Sequence, residues 1–288
     1  MGQGEEVKTR PEPQVEIQER GQIFFFYRPK VEREEAKTAD DVQRLYVVMR
    51  VESGERLLKR SRTHIPARKL PRRRVNLAPP SLKEVNKEKQ PLLRSIAMGK
   101  KSLPDPAKKS LPYWGYVELV TTDIEDIKNA LKGEEYDTAT RGHRHKPPAR
   151  ALGEGVYRIL RHNPKKRMHT HLVYKLELPA ENKEKMEPQE SLNIEREGSF
   201  LIQIKNPEQP GDSQFQGLQE KHRAAFPAHL QGQFGHRRYT AADPPDFLNY
   251  EGCEFLLIAA SDNIEEELGL ELKTEECDQE ERSCADLV

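Results

Sequence analysis

A chain of 288 residues has room for one large or two ordinary domains, but 33% charged against 35% hydrophobic residues and 21 prolines make it more polar than a typical domain. That balance predicts an ordinary core mixed with segments too polar to offset their ordering entropy. No window is apolar over the length of a membrane span, and three cysteines without a CxxC point to a reducing compartment rather than a disulfide-built secreted fold.

Net charge is zero, yet the charges are segregated. Between Gly54 and Gln90, twelve cations are opposed only by Glu55, Glu84 and Glu88; after Ser261, Lys273 and Arg282 are the only cations. Local blocks of one sign, not the total, decide which partners are attracted.

In chain order, residues 1–20 alternate in charge around Pro11 and Pro13 and predict a disordered arm. The opening "MGQGEEVKTRPEP" lacks the apolar run of a signal peptide, and Glu6 stands where an N-myristoylation motif at Gly2 needs Ser or Thr. In "GQIFFFYRPKV", Ile23 to Tyr27 is too short for a helix and apolar on both faces, which predicts a covered central strand. The competing reading is an exposed aromatic platform for nucleic-acid bases. A short turn after Asp40 leads into a strand over Leu45 to Val51.

Residues 54–90 lack periodicity and read as a basic, proline-rich disordered insertion. Within it, Lys59 and Arg60, then Arg72, Arg73 and Arg74, have the spacing of a bipartite nuclear import signal. Such an extended peptide lays two basic clusters into acidic grooves on an import carrier. "QPLLRSIAMG" and "YWGYVELVTT" predict two more strands. Asp123 to Gly133 predicts a helix, with Asp123 as cap, Ile124, Ile127 and Leu131 on one face and Gly133 as the stop.

"TATRGHRHKPPAR" is the richest stretch in chemistry, and two readings of it stay open. Thr138, Thr140, Arg141, His143, Arg144, His145 and Arg150 combine hydroxyls, guanidinium forks and a glycine, the groups that bind phosphate or carboxylate. Alternatively, His143 and His145 join His169 and His171 of "MHTHLVY"; each pair is spaced i, i+2, so a strand puts both imidazoles of a pair on one face, as a transition-metal site requires. No cofactor is implied, because the glycines match no nucleotide fingerprint.

Beyond it, "EGVYRILRH", "THLVYKLELP" and "GSFLIQIKNPE" predict a three-stranded meander, followed by one or two short helices before Gly235. Asp243 and Asp246 in "AADPPDFLNYEG" read as acidic caps of a rigid turn. "EGCEFLLIAAS" reads as a buried strand holding an inert Cys253, and "DNIEEELGLEL" as a short helix capped by Asp262 or Asn263. Eight strands with few helices predict an α+β fold. It would be a single core over 21–270, built on a largely antiparallel β-sheet, with a disordered acidic tail at 271–288.

The blocks "RGQIFFFYRPKV", "DVQRLYVVMR", "WGYVELVTT", "NALKGEEYDTATRGHRH", "LGEGVYRILRH", "LNIEREGSFLIQIKNPE" and "ADPPDFLNYEGCEFLLIAASD" cover most of the chain outside arm, insertion and tail. In them the chain resembles a plant protein family, some members of which are automatically named BTB/POZ domain-containing proteins. The resemblance implies a protein-interaction adaptor and brings no catalytic residues. With segregated charge and no recognised catalytic motif, the sequence predicts a non-enzymatic intracellular adaptor of nucleus or cytoplasm. Its basic patch from Arg141 to Arg167 would engage an acidic protein segment or nucleic acid. The alternative is a small-molecule phosphate-binding or metal-dependent enzyme using the same His/Arg cluster.

Overall fold

The computed structural model describes residues 5–10, 15–33, 35–52, 91–108, 111–140, 142–163, 168–179, 188–209 and 217–274. In order these form β1 (Glu5–Lys8), β2 (Val15–Pro29), β3 (Val42–Val51), β4 (Leu93–Met98), β5 (Tyr113–Thr121), α1 (Ile124–Leu131), β6 (Glu134–Thr138), β7 (Gly142–Lys146) and β8 (Arg150–His162). They continue with β9 (His169–Leu178), β10 (Glu197–Lys205), α2 (Ala228–Gln231), β11 (Tyr239–Ala241), β12 (Glu254–Ser261), α3 (Ile264–Leu268) and β13 (Leu270–Lys273).

Eight strands close on themselves in the order β2-β3-β4-β5-β12-β10-β9-β8, every pairing antiparallel. This is a closed β-barrel, and it overturns the expected α+β fold, a largely antiparallel sheet with a few short helices. The helices are small attachments of eight, four and five residues. Closure happens at β9 and β10, where Lys175 to His171 run opposite Glu197 to Leu201. A barrel abolishes the unpaired edges of an open sheet.

Alternation sorts each strand into an inner and an outer set. In β2, Ile23, Phe25 and Tyr27 join the interior core, while Phe24 and Phe26 pack outside against Ile127 and Leu131 of α1. The doubly apolar run is therefore covered on both faces, and no phenylalanine in it is more than 8% exposed, so none forms a platform for stacking. Inward side chains from all eight strands fill the barrel, Leu45, Tyr157, Tyr174, Phe200 and Phe255 among them. The segment between β10 and β12 folds over this core, bringing Phe226, Phe234, Phe247 and Tyr250 to ring separations of 5.1–6.0 Å.

One residue in β8 has no room for a side chain. A Cβ on Gly155 would lie 2.0 Å from the carbonyl oxygen of Lys175, at the register shift where β8 and β9 curve together. A second register shift, at Gln18 in β2, lets Val15 and Ile17 face outward while Glu19 and Ile23, of the same parity, face inward.

That shift turns Val15 and Ile17, still paired with β8, toward a two-stranded ribbon on the outside of the barrel. β1 pairs with β13, and the ribbon covers the outer face of the barrel with Leu270 and Leu272 on Leu160 and Val173. Residues expected as a disordered arm thus contain a strand and the start of another, and Leu270–Lys273 carries order into the expected tail. Composition misled here because the charges of this arm are paired: Glu6 meets Arg20 at 2.6 Å and also Arg158, which is fully buried. Burial pushes the Glu6 carboxyl up, but the hydrogen bonds and charges of Arg20 and Arg158 outweigh it and hold the group below the usual carboxylate range.

The barrel also encloses a polar island. Arg94 is 1% exposed; its guanidinium donates to both oxygens of Glu19 (2.6 and 2.8 Å) and to Asn249 Oδ1 (3.0 and 2.6 Å). The Tyr157 hydroxyl donates to the same carboxylate at 2.8 Å. Cys253 is a free, fully buried thiol, and burial pushes its pKa up, as expected of an inert core cysteine.

Candidate functional site

The "TATRGHRH" stretch is a β-hairpin, β6–β7, standing outside the barrel. Arg28 of β2 anchors its base. This buried guanidinium donates to the carbonyls of Ala130 (3.0 Å), Lys132 (3.0 Å) and Pro147 (2.6 Å). It thereby satisfies the free carbonyls at the end of α1 and fastens both ends of the hairpin to the barrel wall. Asp123 caps the other end of α1, accepting from the Glu125 amide at 3.0 Å. Near the tip, Gly142 adopts φ +65°, a left-handed conformation suited to glycine.

Pairing Tyr136 with Arg144 and Asp137 with His143 fixes which side chains share a face. Glu134, Tyr136, Thr138, Arg144 and Lys146 lie on one side; Glu135, Asp137, His143 and His145 lie on the other. The predicted anion set is therefore split by the period of two. His143 sits 3.3 Å from Asp137 and 3.7 Å from Glu135, and His145 lies 3.9 Å from Glu135, so the imidazole face is countered by carboxylates from the adjacent strand. Lys146 pairs with Glu134 at 3.6 Å and Arg150 with Glu35 at 3.1 Å. Thr140 is an exposed turn residue, and Arg141 lies outside the described residues.

The other face is where two predicted residues meet. Thr138 and Arg144 line a hollow of about 370 Å³ with Tyr136, with Lys30 and Val31 from the β2–β3 turn, and with Gln43 from the start of β3. Glu32 holds the turn against the hairpin. Its amide donates to the His145 carbonyl at 3.1 Å, and its carboxylate accepts from the His145 amide at 3.2 Å and lies 3.3 Å from Arg144 Nε. The hollow thus carries two cations, Lys30 and Arg144, above a phenol and a hydroxyl.

Further along the expected patch, the described cations are engaged elsewhere. Arg158 lies under the β1–β13 ribbon, and Arg161 forms a two-pronged bond with Asp243 at 2.8 Å for each prong. Lys165, Lys166 and Arg167 lie outside the described residues, as do Lys59, Arg60, Arg72, Arg73 and Arg74 of the expected import signal.

The proposed metal set occupies two neighbourhoods. His171 is buried on the barrel wall, with Nδ1 3.1 Å from Ser199 Oγ and its ring 5.5 Å from His162, whereas His143 and His145 face the hairpin carboxylates. Among the described residues, no group of three or more His, Cys, Asp or Glu side chains could hold a metal ion. Burial, reinforced by His162 and His169, drives the His171 pKa down to about 3, while burial raises that of neighbouring Glu267.

Lys30 was not singled out in the sequence, because nothing local marks it; Gln43, far along the chain in the same hollow, is equally silent. The buried Arg94–Glu19 pair had one signal, an arginine inside the apolar run "PLLRSIAMG". Compared with protein-family models, with curated proteins and with solved structures, the chain matches none.

Proposed function

We propose that this protein is a binding module in which a filled barrel displays the β6–β7 hairpin, and that the hollow beside it receives an acidic side chain of a partner protein. The observation that carries the reading is the shared hollow: Arg144 and Thr138 from the hairpin stand with Lys30 from the β2–β3 turn around one concavity. A guanidinium and an ammonium on a rigid strand and an anchored turn suit a carboxylate, with Tyr136 and Thr138 adding polar contacts. Glu32, 3.3 Å from Arg144, and Glu134, on the same face of the hairpin, add negative charge near the site. Double-stranded DNA, charged about every 1.7 Å along its axis, would be repelled there. This favours a discrete acidic protein segment. The adaptor role implied by the resemblance to the plant family is of the same kind.

Fluorescence anisotropy of the full chain with a labelled ten-residue glycine-serine peptide bearing a single central glutamate tests the reading. Lys30→Ala with Arg144→Ala should weaken binding at least tenfold, and rising salt should weaken it in the wild type. His143→Ala, on the opposite face, should leave it unchanged. Wild-type affinity in the double variant overturns the proposal, and equally tight binding of single-stranded DNA lost in that variant would transfer the site to nucleic acid.

Nuclear entry through Lys59, Arg60, Arg72, Arg73 and Arg74 belongs to the same reading. Residues flanking the basic stretch are fixed at one point, where the Val51 amide donates to the Leu92 carbonyl at 2.8 Å. A fluorescent fusion of the full chain should lose nuclear accumulation when Arg72, Arg73 and Arg74 become alanine; unchanged distribution removes the import signal.

A further inference from the structure

β10 changes neighbours along its length. Glu197 to Leu201 pair with β9, and Gln203 to Lys205 pair with β11. At the changeover, a groove of about 600 Å³ opens between the start of β9 and β11, within the size range of small-molecule sites. Its walls combine Met168, Leu201 and Ala241 with Thr170, Arg237 and Tyr239. Three features point to a ligand. Met168 is 48% exposed, one of two large apolar side chains so exposed among the described residues. Thr170 is 2% exposed, and its hydroxyl has no hydrogen-bond partner among the described residues, an arrangement that costs free energy unless something else satisfies it. Arg237 donates to the carbonyls of Gln233 (2.8 Å) and Phe234 (3.4 Å), so no carboxylate among the described residues neutralises it. The one acid in the wall, Asp243, is already held by both prongs of Arg161.

We propose that this groove binds a small amphipathic organic anion, a carboxylate or sulfonate with an apolar body. The charged end is held by Arg237, the apolar body covers Met168, Leu201 and Ala241, and an acceptor reaching the inner wall takes the Thr170 hydroxyl. The site lies apart from the hairpin hollow and shares no residue with it.

Titration of the full chain with 8-anilinonaphthalene-1-sulfonate tests this. A single saturable site is expected, displaced by octanoate and not by octanol. Arg237→Gln should weaken it at least fivefold. Thr170→Val, which keeps the side-chain shape and removes the unsatisfied hydroxyl, should weaken it about threefold while leaving Tm unchanged or raised. Absence of saturable binding, equal displacement by octanol, or wild-type affinity in both variants overturns the proposal. The competition experiment uses the wild-type chain and so stands independently of how the variants fold.

Discussion

Arg94 and Arg144 carry the same guanidinium and meet the same kind of partner, a glutamate, yet the barrel hides one and the hairpin displays the other. The Arg94 side chain is 1% exposed and its two-pronged bond to Glu19 is joined by the Tyr157 hydroxyl; that of Arg144 is 27% exposed, 3.3 Å from a half-exposed Glu32. In the interior, every hydrogen bond must be completed within the protein, so the pair is obligatory once either member is present. At the hairpin, water screens the contact, which under the proposed function lets Arg144 turn from Glu32 to a partner's carboxylate. The interior charges therefore serve the fold, and the hairpin charges contribute little to it.

Four experiments would break or sharpen this contrast. Arg94→Met strands Glu19 inside the barrel and should cost about 3–5 kcal/mol in urea unfolding. Adding Glu19→Gln should recover part of that loss, and failure to do so would mean that the pair is not coupled. Gly155→Ala forces a methyl group against the Lys175 carbonyl and should cost about 1–3 kcal/mol, measured the same way.

The third concerns pH. The pKa of His171 is lowered from 6.5 to about 3 in the fold, so the folded state binds fewer protons than the unfolded chain across that window. Its stabilising contribution is complete above pH 6.5 and is lost as pH falls towards 3, at most about 1.4 kcal/mol per pH unit. His162, lowered by burial and by His169, acts in the same direction; Glu267, raised by burial, acts in the opposite one. His171→Gln should flatten the pH dependence of Tm between 6.5 and 4, and an unchanged slope would dissociate His171 from it. The smallest effect belongs to the hairpin: Glu135→Ala should leave stability within about 1 kcal/mol of wild type, because its imidazole contacts are exposed.

Much of the architecture was legible piece by piece. The eight strands predicted from apolar runs are the eight staves of the barrel, and the helix over Asp123 to Gly133 is α1, capped by Asp123 as expected. Apolar run length and capping residues act locally, so a linear reading recovers them. The hairpin β6–β7 was missed as a strand pair because Glu134, Glu135, Tyr136 and Asp137 carry no apolar alternation. Its pairing comes from Gly142 at the turn and from Arg28, more than a hundred residues away, at its base. The expected convergence of Thr138, Arg144, His143 and His145 failed for a geometric reason: the list gives residues in order, while a strand sends neighbours to opposite sides.

What the sequence by itself determined is where the eight barrel strands and the helix α1 lie, which stretches are strongly basic or acidic, and that Cys253 is a buried thiol at the start of an apolar strand. Each of these rests on residues within a few positions of one another. Only the tertiary structure decided that β9 meets β10 to close a barrel, that Glu6 belongs with Arg158 and Glu19 with Arg94, and that Lys30 stands beside Arg144. Those choices compare edges and charges distant along the chain, and they are settled when burial demands that every backbone edge and every enclosed charge find its complement.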